Sequence, residues 1–360
     1  MRYAGSRFLR MFPAYILLAV TTTMGQSDSI STHPPGSQLV KCGIVLPLSR
    51  YGEWDSGMVE SPVVWYDTNR AKYGMVYTGY GSTDSTRRGY AHVTQPQIGL
   101  AWSNDLLHWT RDPHNPIFTG SGSPGTSDAG GASGPFIWME NNTYYLFYFG
   151  VTGKGYEKGR KTLNLATSTD LYRWTRYEGN PIVEPAGDGW RRDAIWHPNV
   201  VKQANRYFLF FNASGVTGGR SEEVIGYATS KDLFRWEVDD VNSPLVVGSG
   251  RPGAWDASGR AGDPSLYKVG RLWYMAWYSW DKKHSADGIS WTTEKQFPLG
   301  WRVYAGNPVL RIGKPGSFDA LHAGKPFIFN AGGRHYHFYT AVAADETRQI
   351  AVAVWPGPCR

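Results

Sequence analysis

Short stretches of alternating apolar and polar residues recur along this chain, separated by turns rich in glycine and proline. Five of them share one pattern: an Asp, a few small residues, a Pro, and then an alternating strand. The aspartates are Asp55, Asp128, Asp193, Asp256 and Asp319. Their spacings of 73, 65, 63 and 63 residues leave room for four strands in each copy. The pattern therefore predicts an all-β fold, a five-bladed β-propeller with blades starting near these aspartates.

Two further strands follow in each copy. The second is rich in aromatic residues, as in TYYLFYFG and LWYMAWYS, and the third runs into a turn of the form ATS-x-D-L-x-x-W. We interpret HSADGISW, which ends at Trp291, as a worn copy of that turn. An acidic residue recurs in these turns, and capping of the turn is its expected role. The residues in question are Asp105, Asp170, Asp232 and Asp287.

The two ends of the propeller are expected to close on each other. The fifth copy ends after IAVAVW without an outer strand, whereas KCGIVLPLSRYGEWD near the N-terminus resembles the end of one. An N-terminal strand that completes the last blade would remove an unpaired edge. The two cysteines of the chain, Cys42 and Cys359, lie in these segments. In an exported protein they should form a disulfide, the alternative being two unpaired thiols.

The N-terminal residues carry a targeting pattern. Arg2, Arg7 and Arg10 precede an apolar run at residues 11–20 and then small polar residues. Residues 1–25 are therefore predicted to be a signal peptide of a secreted protein, extracellular or periplasmic, with a retained N-terminal anchor as the alternative. Residues 26–38 are expected to be a flexible segment, and residues 39–360 a single propeller domain.

Composition narrows the function classes. With 41% hydrophobic and 15% aromatic residues, the chain can bury a large core. The net charge is +7, but the basic residues are scattered, so we expect no nucleic-acid partner and no membrane partner once the signal is removed. At most, the excess suggests tolerance for anionic glycans. Motifs for zinc, a serine nucleophile or a phosphate loop are missing from the sequence. The oligomeric state stays open.

The repeats resemble the superfamily of five-bladed propeller glycosidases, which includes arabinanases, levansucrases and invertases, and most nearly its family 43-like members. The resemblance covers residues from about 40 to 355 and is carried by the aromatic strand after each Pro and by the ATS-x-D-L-x-x-W turns. It implies a glycoside hydrolase that acts on an oligo- or polysaccharide. In this superfamily the catalytic side chains lie just before the Pro of successive blades and face an axial pocket.

The catalytic pattern of the superfamily transfers only in part. Glu60 stands one residue before the position of the base, and Asp263 lies in the blade that supplies the acid. His197 stands where a pKa-tuning Asp is expected. Because the related family 117 of neoagarobiose hydrolases uses a His as its acid, His197 or His322 could take that role. Asp193 is a further candidate, since its distance to the next Pro is 5 residues instead of 7 or 8.

Substrate contacts are predicted around the same positions. Trp196 is a natural platform for a sugar ring. Four polar residues are further candidates for substrate contact: Asp55, Asp128, Arg192 and Lys325. For the aspartates that recur in all five blades, hydrogen bonds that cap a turn or a strand are the simpler explanation. No cofactor is certain, and a structural divalent cation such as Ca²⁺ in the central pocket is a further expectation.

Two other functions stay open. A lectin-like propeller without catalysis would explain the incomplete carboxylate set, and the Asp-box-like SADGISW leaves a sialidase as a weaker alternative. Glu222 and Glu223 are interpreted as part of a solvated loop. Asn141 and Asn212 begin glycosylation sequons.

Overall fold

A computed structural model describes residues 38–217 and 220–359, so the predicted signal peptide lies outside the described residues. The described residues form five four-stranded antiparallel sheets and one short 3₁₀ turn, Tyr90–His92. This confirms the predicted all-β five-bladed propeller. None of the helices in this part of the chain has the length and apolar character needed to cross a membrane.

Each blade runs from an innermost to an outermost strand. Blade 1 contains β2 (Met58–Asp67), β3 (Lys72–Tyr80), β4 (Gln97–Ser103) and β5 (Thr110–Arg111). Blade 2 contains β6 (Gly131–Glu140), β7 (Thr143–Val151), β8 (Lys161–Ser168) and β9 (Thr175–Arg176). Blade 3 contains β10 (Ala194–Gln203), β11 (Arg206–Thr217), β12 (Arg220–Ser230) and β13 (Glu237–Val238).

Blade 4 contains β14 (Gly262–Val269), β15 (Leu272–Trp280), β16 (Ser285–Thr293) and β17 (Arg302–Val303). Blade 5 contains β18 (His322–Ala331), β19 (Arg334–Val342) and β20 (Arg348–Trp355), and its outer strand is β1 (Val40–Leu46). The N-terminal strand β1 pairs antiparallel with β20, with Val40 opposite Val354. The ring therefore closes through the N-terminal segment, as predicted. A disulfide joins Cys42 to Cys359 beside this closure.

Three blades are held together by the same buried aspartate contact. Asp55 accepts a hydrogen bond from the Tyr77 hydroxyl (3.0 Å) and one from Arg111 Nε (2.8 Å). Asp128 has the same two kinds of partner in Tyr148 and Arg176. In blade 5, Asp319 accepts from Tyr339, and Lys41 of β1 supplies the cation. Each of these aspartates therefore links the loop before the innermost strand to the second strand and the outer strand of its blade.

Blade 3 carries this contact with its charges exchanged. Trp190 packs on Phe211 as Trp54 packs on Tyr77 in blade 1, so the two tryptophans are equivalent. The residue after Trp54 is Asp55, and the residue after Trp190 is Arg191, which therefore takes the place of the aspartate. Arg191 forms two bonds of 2.7 Å to Asp240. Asp193 is thus not the counterpart of the other repeat aspartates, which explains its shorter distance to the proline.

Turn capping is found for three of the four predicted aspartates. Asp105, Asp170 and Asp232 each accept two backbone N–H bonds in the turn that follows the third strand. The prediction for Asp287 is wrong, because this residue lies inside β16, fully buried against His337 at 2.8 Å. In blade 4 the turn comes later, and Trp301 donates to Pro298 O where the other blades use the Trp of the repeat.

The innermost strands share a strained bulge. The residue before the proline has a φ of +51° to +60° in every blade, and pairing with the second strand shifts register there. These residues, called the axial residues below, are Ser61, Gly134, His197, Asp263 and Lys325. Left-handed backbone is costly for residues with a side chain, and the bulge brings this position of every blade to the axis. The fold thereby selects which residues meet there.

Loss of the disulfide should weaken ring closure. Its sequence separation of 317 residues is large, so the chain-entropy model gives about 6 kcal/mol, whereas disulfides typically contribute up to about 5 kcal/mol. We expect dithiothreitol to lower the unfolding temperature of the wild type and to leave a Cys42→Ser/Cys359→Ser double variant unchanged. Thermal unfolding followed by circular dichroism measures both, and equal insensitivity of the two proteins would contradict a stabilising disulfide.

Candidate active site

A pocket of about 370 Å³ opens where the innermost strands of blades 3, 4 and 5 begin. Three axial residues, His197, Asp263 and Lys325, lie at its floor. Its wall adds aromatic and charged side chains from strand ends and connecting loops. These are Tyr90, Tyr156, Glu157, Trp196, Glu223, Arg260, Tyr278, Trp280, His322 and Arg348.

The Lys325 ammonium is the centre of the floor. Its Nζ lies 3.4 Å from Glu60 Oε1, 4.0 Å from Glu157 Oε1 and 3.4 Å from His197 Nε2. Burial lowers the pKa of Lys325, but the surrounding carboxylates outweigh burial and raise it above its usual value. Lys325 is therefore a permanent positive charge that holds carboxylates from other blades around the axis.

Glu60 lies beneath the pocket and has no exposed surface. Its oxygens are near three groups: the Tyr80 hydroxyl at 3.4 Å, Lys325 at 3.4 Å and Arg348 Nη1 at 3.7 Å. The pocket lining does not include Glu60, although it does include Lys325 and Arg348. This placement suits a counter-ion that positions the two cations.

Asn212 joins two carboxylates. Its amide nitrogen donates to Asp263 Oδ1 at 2.7 Å and to Glu223 Oε1 at 2.9 Å, and its oxygen accepts from Asp263 N at 2.6 Å. A Cβ at Gly262 would meet Glu223 Oε1 at 2.6 Å and Asn212 Nδ2 at 2.7 Å, so the close packing needs glycine there. The Tyr278 hydroxyl completes the group by donating to Glu223 Oε2 at 2.7 Å.

Burial dominates the protonation of these carboxyl groups. Burial raises the pKa of Asp263 to about 8, with the Lys325 charge opposing the rise and the Glu223 charge adding to it. Burial likewise raises the pKa values of Glu223 and Glu157, and the nearest opposing charge at Glu157 is Lys325. The carboxyl groups of the pocket therefore stay protonated to a higher pH than an exposed carboxyl group would.

The two predicted histidines line the pocket as neutral imidazoles. Burial, followed by the charge of Lys325, lowers the pKa of His197 well below its usual value. Burial, followed by Arg348, lowers the pKa of His322 to about 4. The Nδ1 atom of His322 accepts a bond from Ser285 N at 3.1 Å, which places its proton on Nε2. Both rings can serve as hydrogen-bonding groups at neutral pH without being a charged proton source.

The predicted site residues divide by position. The pocket brings together Asp263, His197, His322, Trp196 and Lys325, with Glu60 directly beneath. Asp55 and Asp128 lie in the blade contacts described above, outside the pocket lining. Arg192 and Asp193 form a bidentate pair on the surface, with bonds of 2.7 and 3.0 Å. The structure thus separates these four polar residues from the pocket.

Several pocket residues were not predicted from the sequence. Glu157 comes from the loop between β7 and β8, and Glu223 lies within β12, not in a solvated loop. Arg260 comes from the loop before β14. The sequence did contain a sign of Glu223, namely its hydrogen-bonding partner Asn212. Blades 1 and 5 have Thr78 and Thr340 at the position of Asn212, and all three side chains accept a hydrogen bond from the axial N–H of the next blade. Asn212 is fully buried, which excludes glycosylation of its sequon in the folded protein.

The expected cation finds no suitable donors. Within residues 38–217 and 220–359, no three His, Cys, Asp or Glu side chains are grouped to hold a metal ion. The axial floor instead contains the Lys325 ammonium among the carboxylates, and its positive charge opposes binding of Ca²⁺. The residues present therefore do not fit a calcium ion at the axis.

Comparison with known proteins finds similarity to glycoside hydrolases in both sequence and structure. The model of the glycosyl hydrolase family 32 N-terminal domain matches residues 87–245, less than half of the chain. A structure described as a glycoside hydrolase aligns with a TM-score of 0.71 and 20% identity over 89% of this chain and 94% of its own. A thermostable family 43 glycoside hydrolase aligns with a TM-score of 0.59 and 14% identity, over 84% of this chain and 92% of its own.

Over residues 87–245 this chain is similar in sequence to the family 32 N-terminal domain, and over most of its length its fold is similar to that of solved glycoside hydrolases. The comparisons thereby confirm the predicted resemblance to propeller glycosidases. One curated relative, a β-1,2-mannobiose phosphorylase of Thermoanaerobacter sp. (strain X514), is 29% identical over 116 residues, which are 29% of this chain. The match spans only 36% of that enzyme.

Asp263 should make stability depend on pH. An unfolded Asp titrates near pH 3.9, so the folded protein holds one extra proton between about pH 4 and pH 8. That stabilisation is complete below the unfolded pKa and is lost as the pH rises through the folded pKa. We expect the unfolding free energy of the wild type, relative to Asp263→Asn, to fall by at most about 1.4 kcal/mol per pH unit over this range. Urea unfolding across the range measures the difference, and a constant difference would contradict the assignment.

Asn212 offers a test of the amide bridge. Asn212→Thr keeps an acceptor for the Asp263 N–H, as in blades 1 and 5, whereas Asn212→Ala leaves it unsatisfied. Each missing buried partner costs about 1–3 kcal/mol, so we expect the Ala variant to be less stable than the Thr variant by that order. Urea unfolding compares the two, and equal stability would show that the N–H contact is unimportant.

Proposed function

We propose that this protein is a secreted glycoside hydrolase that cleaves an oligo- or polysaccharide in the central propeller pocket. The observation that carries the proposal is the set of buried carboxyl groups with raised pKa values, Glu157, Glu223 and Asp263, on the wall of one pocket. Glycoside hydrolysis needs one carboxylic acid and one carboxylate on opposite sides of the scissile bond. The pocket offers both kinds of group.

Glu223 is the best candidate for the general acid. Burial raises the pKa of Glu223, while the Tyr278 hydroxyl and the Asn212 amide, which both donate to it, oppose part of that rise. Both of these partners are neutral, whereas Glu157 lies beside the Lys325 ammonium. A protonated carboxyl in such a setting can donate to the glycosidic oxygen as the bond breaks. Asn212 also fixes the orientation of this carboxyl group relative to Asp263.

Glu157 is the best candidate for the carboxylate. The Lys325 ammonium lies 4.0 Å from its Oε1 and opposes the effect of burial, so the ionised form is favoured over that of a lone buried Glu. It would act as base toward a water molecule or as nucleophile toward the anomeric carbon. The separation of the two carboxyl groups in the substrate complex sets which of these occurs.

The other pocket residues bind and orient the sugar in this scheme. Trp196 presents a half-buried indole for a sugar ring, and His197 and His322 supply neutral hydrogen-bonding groups. Asp263 adds a protonated carboxyl next to Asn212. Because its curated relative is named for β-1,2-mannobiose, β-mannosides belong among the first substrates to try.

Export is part of the proposal. The sequence pattern of residues 1–25 and the joined Cys42 and Cys359 both fit an oxidising compartment. Mass spectrometry of the protein from its native host would show a mature N-terminus near residue 26. A chain that starts at Met1 in the membrane fraction would favour the retained anchor.

The two catalytic roles can be separated by the leaving group. We expect Glu223→Gln to lose activity on oligosaccharides by about 10²–10⁴-fold and to keep much more of it on dinitrophenyl glycosides, whose leaving group needs no protonation. Glu157→Gln should lose activity by a similar factor on both substrates. Initial rates with and without inorganic phosphate measure these losses and distinguish hydrolysis from phosphorolysis.

Glu237→Gln, an exposed change in blade 3, is the matched control and should keep full activity. If Glu223→Gln and Glu157→Gln are as active as the control, the assignment fails. If no glycoside is cleaved but glycans still bind, the lectin-like alternative is favoured.

A further inference from the structure

The Arg260 guanidinium is the pocket cation without a counter-ion. Lys325 and Arg348 also line the pocket, but both lie within 4 Å of Glu60. Among the described residues, no ion pair or side-chain hydrogen bond is found for Arg260. Its guanidinium instead makes a cation–π contact with Trp280, whose ring centre lies 5.2 Å from the guanidinium carbon.

The backbone of Arg260 is held firmly. Its carbonyl oxygen accepts a 2.6 Å bond from the Ser279 hydroxyl, and its N–H donates to Ser258 Oγ at 3.2 Å. The Trp280 indole then limits the directions open to the side chain. An exposed guanidinium that starts from a fixed backbone and rests on an aromatic face is preorganised for a planar anion.

Arg260 also acts on the proposed acid. The N–H of Ala261, the next residue, donates to the Glu223 carbonyl oxygen at 2.8 Å, and the side chains of Arg260 and Glu223 line the same pocket. The charge of Arg260 lowers the pKa of Glu223, against the larger effect of burial. A group bound by Arg260 would therefore be part of the sugar next to the scissile bond. An indole beside a guanidinium matches a pyranose ring that carries a carboxylate.

We propose that Arg260 and Trp280 form a subsite for a uronic acid residue of the substrate. The guanidinium pairs with the sugar carboxylate, and the part of the indole that the guanidinium leaves uncovered contacts the sugar ring. The inference rests on the proposed function for the place of this subsite beside the cleaved bond. It names the substrate class as acidic glycans.

Binding tests the subsite separately from catalysis. The ligands are oligosaccharides that contain galacturonate, glucuronate, mannuronate or iduronate, each paired with its carboxyl-reduced neutral form, together with hexose sulfates. Calorimetry uses the wild type and Glu157→Gln, so that affinity is read even where turnover would consume the ligand. We expect at least one acidic member to bind about tenfold or more tightly than its reduced form.

The variants then locate the effect. Arg260→Gln should remove that tenfold preference and leave the affinity for the reduced form unchanged. Arg302→Gln is the matched control, because Arg302 also rests on a tryptophan, Trp291 at 4.9 Å, but lies on the outer strand β17. It should leave both affinities unchanged.

Three results would overturn the proposal. They are equal affinity for every acidic and reduced pair, an equal loss of both in Arg260→Gln, and tighter binding of hexose sulfates than of any uronate. Since none depends on turnover, a protein that binds uronates without cleaving them would keep the subsite and lose only the hydrolase assignment.

Discussion

The strained residue before each blade proline is the constraint on which the site depends. A left-handed conformation costs a residue with a side chain about 1–2 kcal/mol, and four of the five axial residues are not glycine. The cost is offset by contacts between blades, such as the Thr78 and Thr340 hydroxyls that accept from axial N–H groups. Because Ser61 and Gly134 adopt the same conformation as Asp263, the strain belongs to the fold. Function then depends on which side chains occupy the five positions.

The sequence could predict what repeats. Five strands that each follow the repeated Asp-to-Pro pattern, and an N-terminal strand without a blade of its own, were enough to predict the ring, its closure and the cysteine pairing. The same reasoning failed where a blade departs from the repeat. In blade 3, Arg191 follows the packed Trp190 and occupies the position where the other blades have the repeated aspartate. In blade 4 the turn comes later in the chain, so Asp287 lies inside β16. A repeat fixes the backbone plan but not the alignment of each copy.

The candidate site was only half visible for a related reason. The axial residues Asp263, His197 and Lys325 are found by counting back from a proline. Glu157 lies in the loop between β7 and β8, and Arg260 lies between Asp256 and the proline of blade 4. Their approach to the pocket depends on loop paths that periodicity does not encode. The best missed signal was Asn212, which replaces a repeated Thr and supplies two extra donors that only neighbouring carboxylates explain.

Charge counting links the floor of the pocket to its chemistry. Three buried carboxyl groups, Glu60, Glu223 and Asp263, and the partly exposed Glu157 face the cations Lys325 and Arg348, and Glu60 lies near both of these cations. In the remaining three carboxyl groups burial raises the pKa, while Lys325 and, at Glu223, Arg260 oppose that rise. Burial favours a retained proton most clearly at Asp263, whose pKa it raises to about 8. Lys325 lies 4.0 Å from Glu157 and opposes the effect of burial on the pKa of that residue, so the carboxyl groups of the pocket are not electrostatically equivalent.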